Sequence, residues 1–243
     1  MSIINSINNF RVQKWSKLKV KQYRDKEKCF IAEGYHNALE AFKSNCLIEV
    51  VSTEKNAPFD VPHHTVTYEV MEKLTAMATP PKLLGICRFP KVRAVGDTLL
   101  LIDQVHHPGN LGTIIRSAVA FGVDTVVLNA SVDAYNTKVV QASQGMIFHI
   151  NIVKKPLQAF LLELKSMGYQ LVGTDVREGI PVQDFRAAQK RAVLIGGEGD
   201  GVGDDLHALC DVKVNIPMDA RCESLNVGVA TSIVLYALAQ VRG

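Results

Sequence analysis

The sequence predicts an α/β protein in which a mostly parallel sheet with helices on both faces is preceded by a small α/β unit. Three observations carry this expectation. From residue 97 onward, short apolar runs alternate with amphipathic stretches of helical period, as strands buried between covering helices do. The preceding stretch carries a shorter α/β pattern punctuated by Pro80-Pro81 and Phe89-Pro90. Charge also divides there: residues 1–95 hold 15 Lys/Arg against 9 Asp/Glu, whereas residues 96–243 hold 12 against 15. A basic first part on a chain of net charge +3 points to a nucleic-acid-facing surface.

Each element follows from local pattern. Arg11, Lys14, Lys17, Lys19, Lys21, Arg24, Lys26 and Lys28 face only Asp25 and Glu27 in a stretch interrupted by Phe10, Val12, Trp15, Leu18 and Val20. Part of it therefore buries one helical face and turns its charges outward, as an ordinary solvated surface or as a footprint on a phosphate backbone. A helix is expected over 33–44, a strand over 47–53, a helix over 70–77, a strand over 83–89, then a linker at 91–97. In the second part, strands are expected over 98–105, 125–129, 147–153, 169–174, 191–196 and 212–216. Helices are expected over 111–121, 138–144, 157–167 and 204–209, with a final helix over 225–241. Ligands of such sheets bind beyond the carboxyl ends of the strands, so chemistry belongs in the loops that follow them.

Composition narrows the class. With 47% hydrophobic and 21% charged residues, the chain has the make-up of a soluble globular protein. Its longest apolar runs, such as 233–239, fall far short of the ~20 residues that span a bilayer. The start, from Met1 to Phe10, has neither the basic nor the apolar region of a secretory signal. Cys29, Cys46, Cys87, Cys210 and Cys222 are odd in number and widely spaced, so no disulfide framework or metal site is expected, and reduced thiols in a cytoplasmic protein are.

Three loops carry chemistry. The first, after the strand ending near Asp103, reads Pro108-Gly109-Asn110-Leu111-Gly112-Thr113-Ile114-Ile115-Arg116. Asn110 suits a helix N-cap. Arg116 stands among Ile, Ala and Phe and so needs a carboxylate partner or an anionic ligand. The second reads Gly196-Gly197-Glu198-Gly199-Asp200-Gly201, which matches neither a dinucleotide fingerprint nor a P-loop. Its glycines permit close backbone approach, and Glu198 suits a cofactor that is neutral or cationic near its reactive end. The third runs Ile216-Pro217-Met218 and then Ser224-Leu225-Asn226-Val227-Gly228-Val229-Ala230, with Ser224 a natural cap for the last helix.

Together, in order and spacing, these three motifs closely resemble the SpoU (TrmH) family of RNA ribose 2′-O-methyltransferases, over residues 97–243. Residues 1–92 resemble that family's RNA-binding domain through Lys17-Leu18, Tyr23-Arg24 and Phe30-Ile31-Ala32-Glu33-Gly34. The resemblance implies a C-terminal trefoil knot, S-adenosylmethionine as cofactor, no metal, and a homodimer packed through the knotted domains. Carried over by position, it implies a cofactor pocket at Thr174, Gly196, Ile216, Met218 and Leu225. It further implies catalytic positions at Asn110, Arg116, Glu198, Ser224 and Asn226, and an RNA face at Arg11, Lys14, Lys17 and Arg24. A base role for Arg116 conflicts with a guanidinium pKa above ~12, whereas gripping a phosphate or a developing oxyanion does not. Gln141 stands where many relatives carry an arginine, so the RNA contacts there are expected to differ. Ribosomal RNA, at a guanosine, is the expected substrate. The alternatives are a transfer RNA or a non-catalytic RNA-binding, ribosome-assembly role on the same fold.

Overall fold

The structure, a computed structural model, describes residues 3–56, 58–199 and 201–240. Asp200 of the glycine loop and Val241, the expected end of the last helix, lie outside the described residues, as do Met1 and Ser2. The chain forms two compact units, one comprising the chain up to Lys91 together with Asp133–His149, the other Val92–Val132 and the chain from Ile150 onward.

In the first unit, helices α1 (Phe10–Lys17) and α2 (Lys21–Glu27) lead into strand β1 (Cys29–Glu33). Helix α3 (Tyr35–Lys43), β2 (Leu47–Ser52), β3 (His63–Thr65), α4 (Tyr68–Leu74) and β4 (Leu83–Arg88) follow. Helix α1 starts where the Asn9 side chain accepts from the Arg11 N–H at 2.9 Å, satisfying one orphan donor of the first turn. Its Val12 and Trp15, one turn apart, are buried with Leu18 against Ile31, Val51, Leu84 and Ile86. The sheet runs β1-β4-β2-β3, with β3 parallel to β2 and the other pairs antiparallel.

Strand β1 is buried on both faces, since Phe30 and Ile31 point to opposite sides and neither is exposed. The Phe30 ring packs 4.9 Å from Tyr135 and 5.6 Å from Phe148. These contacts explain why residues 133–149, expected within the second region, belong to the first unit. They also explain the lost start of the strand expected over 147–153: Met146–Phe148 forms a 3-10 turn that delivers Phe148 to this cluster. The helix expected over 138–144 spans Thr137–Ala142, and Gln141 accepts from the Asn37 side chain at 3.1 Å.

The second unit has strands β5 (Thr98–Asp103), β6 (Thr125–Asn129), β7 (Asn151–Lys154), β8 (Gln170–Thr174), β9 (Ile180–Pro181), β10 (Arg191–Ile195) and β11 (Val212–Asn215). All described pairs are parallel, in the order β7-β6-β5-β10-β8-β11-β9. Leu99, Leu100, Leu101 and Ile102 are all fully buried, which only a strand covered on both faces allows. Each such side chain contributes about 1.5–3 kcal/mol relative to exposure. The chain leaves β5 toward β6 and β7, then crosses to the other side. The order therefore reverses next to β5, where open α/β sheets form ligand crevices.

With α6 naming Thr137–Ala142 of the first unit, the remaining helices are α5 (Pro108–Ala120), α7 (Leu157–Ser166), α8 (Asp204–His207) and α9 (Val227–Ala239). Helix α5 starts three residues before the expected 111 because Pro108 fits the first helical position. Its N-cap is His107, not Asn110, which lies inside the first turn. Among the described residues, no helix is long and apolar enough to cross a membrane.

Candidate active site

The loops after β8, β10 and β11 surround a pocket of about 320 Å³ at the carboxyl edge of the second unit's sheet. All five positions expected to hold a cofactor, Thr174, Gly196, Ile216, Met218 and Leu225, line it. Ile195, Val202, Val214 and Val234 add apolar wall. Thr174 donates its hydroxyl to the Leu194 carbonyl at 2.9 Å, so its polar atom is spent on holding β8 to β10.

Gly196 has a task besides the expected one. A Cβ there would lie 1.9 Å from the Gly201 carbonyl carbon and 2.2 Å from the Val202 nitrogen. The missing side chain thus lets the glycine loop fold back on its own strand, before any question of approach to a ligand. Gly199 and Gly201, at φ +110° and +67°, make that reversal in backbone regions that side chains rarely adopt.

A chain of hydrogen bonds joins the three motifs. Asn226, rather than Ser224, caps α9: its Oδ1 accepts from the Gly228 and Val229 N–H groups at 3.0 and 3.3 Å. This leaves its amide nitrogen to donate to Asn110 Oδ1 at 3.0 Å. Asn110 in turn must present its own nitrogen outward, and donates to Glu198 Oε1. Backbone donors at the start of α9 therefore dictate the orientation of both amides and end on a carboxylate. Glu198, Ser224 and Asn226 also line the pocket.

Arg116 departs from expectation. It is exposed on α5, not enclosed among the apolar residues of that helix, and lines no part of this pocket. Its guanidinium makes no hydrogen bond or ion pair among the described residues. Helix α5 packs instead on α9, where the Ser117 and Ser232 hydroxyls lie 2.7 Å apart. His106 and His107 are exposed.

Arg24 departs in the opposite sense. It is 3% exposed and donates to Asp133 Oδ2 from Nε (3.1 Å) and Nη2 (2.8 Å). Its Nη1 donates to the Leu18 and Lys19 carbonyls at 2.9 and 2.8 Å. With every nitrogen engaged, Arg24 braces the first unit and is withdrawn from the expected RNA face. Arg11, Lys14 and Lys17 remain exposed on α1.

Asp175, which the motifs do not single out, also lines the pocket. Its position directly after β8 is the signal that marks it, since that is where this fold places ligand contacts. Burial raises its pKa, but the Arg177 and Glu178 backbone N–H groups, with Lys213 and His207 nearby, outweigh that and hold it below the usual carboxylate value. Among the described residues, no group of three or more His, Cys, Asp or Glu is placed to hold a metal ion.

A parallel sheet with such a pocket at its carboxyl edge, closed by these three motifs, is the arrangement that the resemblance to RNA methyltransferases implies. Residues 97–236 match the SpoU rRNA Methylase family and residues 9–85 match the MRM3-like substrate binding domain, and the chain belongs to the SpoU family. It is 37% identical over 246 residues to the 23S rRNA (guanosine(2553)-2′-O)-methyltransferase RlmP of Bacillus subtilis, covering 98% of this chain and 99% of that protein. Its structure is similar to that of an AdoMet-bound rRNA methyltransferase from Sinorhizobium meliloti, with TM-score 0.86, 25% identity and coverage of 100% and 98% of the two chains. It is also similar to the SpoU methyltransferase AviRb from Streptomyces viridochromogenes in complex with AdoMet, with TM-score 0.85, 25% identity and coverage of 97% and 98%.

Proposed function

We propose that this chain methylates a ribose 2′-hydroxyl of ribosomal RNA, at a guanosine, with S-adenosylmethionine as methyl donor. The observation that carries the reading is the hydrogen-bonded chain Asn226–Asn110–Glu198, which ties all three family motifs around one pocket. The pocket fits the donor. Its apolar walls suit adenine, its size falls in the range of small-molecule sites, and its lining among the described residues includes two carboxylates with no lysine or arginine. That charge pattern favours a cationic ligand and repels phosphate. The near full-length relationship to RlmP supports ribosomal RNA and guanosine.

The donor, when bound, supplies a methyl group on a positively charged sulfur. Thr174, Gly196, Ile216, Met218 and Leu225 shape its pocket, and Asn110, Glu198, Ser224 and Asn226 orient the groups at its mouth. Arg116 keeps its proton, and as a fork of donors it pins the phosphate beside the target ribose and stabilises the ribose oxygen while that oxygen's proton passes to solvent water. Its exposure, away from its own chain's pocket, supports a knotted homodimer in which it serves the neighbouring subunit's donor. Residues 1–92 hold the RNA through Arg11, Lys14 and Lys17, and residues 97–243 carry the transfer, in the cytoplasm where the RNA is made. Mapping 2′-O-methyl sites in total RNA from cells with and without the gene tests the reading. Loss of one ribosomal guanosine methylation is expected; loss confined to a transfer RNA, or no loss, overturns it.

A further inference from the structure

The two carboxylates of the pocket are held in different ways. Glu198 accepts from Asn110 and so belongs to the chain that joins the motifs. Asp175 takes its short hydrogen bonds from backbone groups. Its N–H donates to the Val214 carbonyl at 3.0 Å, which anchors it to β11. Its Oδ1 accepts from the Arg177 and Glu178 N–H groups at 2.9 and 3.0 Å, locking the side chain in a turn of its own making. Its Oδ2 lies 3.6 Å from Lys213 Nζ and 3.8 Å from His207 Nε2, both beyond hydrogen-bond range.

One oxygen is thus spent on the backbone, while the other is held only in long ion pairs with Lys213 and His207. A half-buried carboxylate on a ligand pocket, with one oxygen that makes no short hydrogen bond, has capacity to accept from donors on the ligand. Lys213 already offsets the charge, so a second full cation would compete with it, whereas neutral hydroxyls would not. A vicinal diol offers two such donors to one carboxylate.

We propose that Asp175 Oδ2 accepts the ribose hydroxyls of the methyl donor, making this side chain a cofactor-binding residue beside the largely backbone-built pocket. The inference rests on the reading of the pocket as an S-adenosylmethionine site. Because it lines the pocket outside the hydrogen-bonded chain that joins the three motifs, Asp175 acts on affinity, with no part in the methyl transfer itself.

Calorimetry with S-adenosylhomocysteine, its 2′,3′-dideoxy analogue and 5′-methylthioadenosine tests it. Hydrogen bonds to a charged group are worth roughly 10- to 100-fold in affinity, so wild-type protein should bind the dideoxy analogue weaker than S-adenosylhomocysteine by that factor. Asp175→Asn keeps an acceptor for the backbone turn and should weaken S-adenosylhomocysteine and 5′-methylthioadenosine alike, while leaving the dideoxy analogue unchanged. The diol assignment is overturned by wild-type affinity that ignores removal of the hydroxyls, by an equal loss for the dideoxy analogue, or by a loss for S-adenosylhomocysteine without one for 5′-methylthioadenosine. The wild-type comparison holds even if the variant fails to fold. Failure of wild-type protein to bind S-adenosylhomocysteine at all would instead overturn the reading of the pocket.

Discussion

The first unit's Arg24 and the second unit's Arg116 both carry a full positive charge on a helix, one in a polar stretch and one among apolar neighbours, yet the fold treats them opposite to what those surroundings suggest. Arg24 is buried, with Nε, Nη1 and Nη2 all donating within its own unit. Arg116 is exposed and lines no part of the pocket beside it. A cation whose donors are all satisfied internally serves stability, while one left in solvent costs the fold nothing and stays available to a ligand. The same contrast divides the pocket, where Gly196 is spent on backbone packing and Asp175 keeps an oxygen in reserve.

The largest expected effect lies on the internally committed side. Gly196→Val places carbon within 2.2 Å of three backbone atoms, which no rotamer relieves, so the loop must open. S-adenosylhomocysteine binding measured by calorimetry should disappear and the thermal midpoint should fall. Unchanged affinity would mean the loop does not shape the pocket.

Arg24→Ala should come next, removing the buried guanidinium whose Nε and Nη2 donate to Asp133. Breaking such a pair costs about 3–5 kcal/mol, to be read from urea denaturation. A loss under ~1 kcal/mol would put Arg24 on the solvated side of the comparison and restore it to the RNA face.

Arg116→Lys and Arg116→Ala should behave in reverse. Stability should stay within about 0.5 kcal/mol, since an exposed side chain is removed. Single-turnover methylation should fall on the order of 10²-fold or more, without recovery toward high pH, as expected of a lost fork of donors. A Lys variant that regains rate as its amine deprotonates would show that the residue acts as a base.

Charge reversal of Arg11, Lys14 and Lys17 should weaken RNA binding and flatten its dependence on salt, while cofactor affinity and stability hold. A wild-type salt slope would remove this face from the footprint.

The smallest effect concerns His207, which is buried next to Lys213. Burial first, and that ammonium second, hold its pKa below the usual 6.5, against the opposing pull of Asp175, Asp204 and Glu178. The unfolded chain therefore takes up a proton that the folded one refuses, so stability is lost as pH falls below about 6.5. His207→Gln should make the denaturation midpoint less sensitive to pH between 6.5 and 5; an unaltered slope would assign the loss to other groups.

Much of this was legible in the sequence because its cause is local. Four consecutive apolar residues at 99–102 announce a strand buried on both faces, and the strand at 125–129 keeps its predicted limits. The three motifs announce the family and the five pocket positions, since loops after parallel strands converge on one edge. Tertiary structure alone decided which polar residues are spent. The carboxylate that claims Arg24 lies 109 positions away, and the aromatic cluster that draws residues 133–149 into the first unit joins equally distant segments. Whether Ser224 or Asn226 caps α9 depends on where the chain enters helical geometry, which the link to Asn110 settles. Local patterning sets which face of an element is apolar, but an isolated charge takes its role from whichever partner folding brings to it, and that partner leaves no periodic trace.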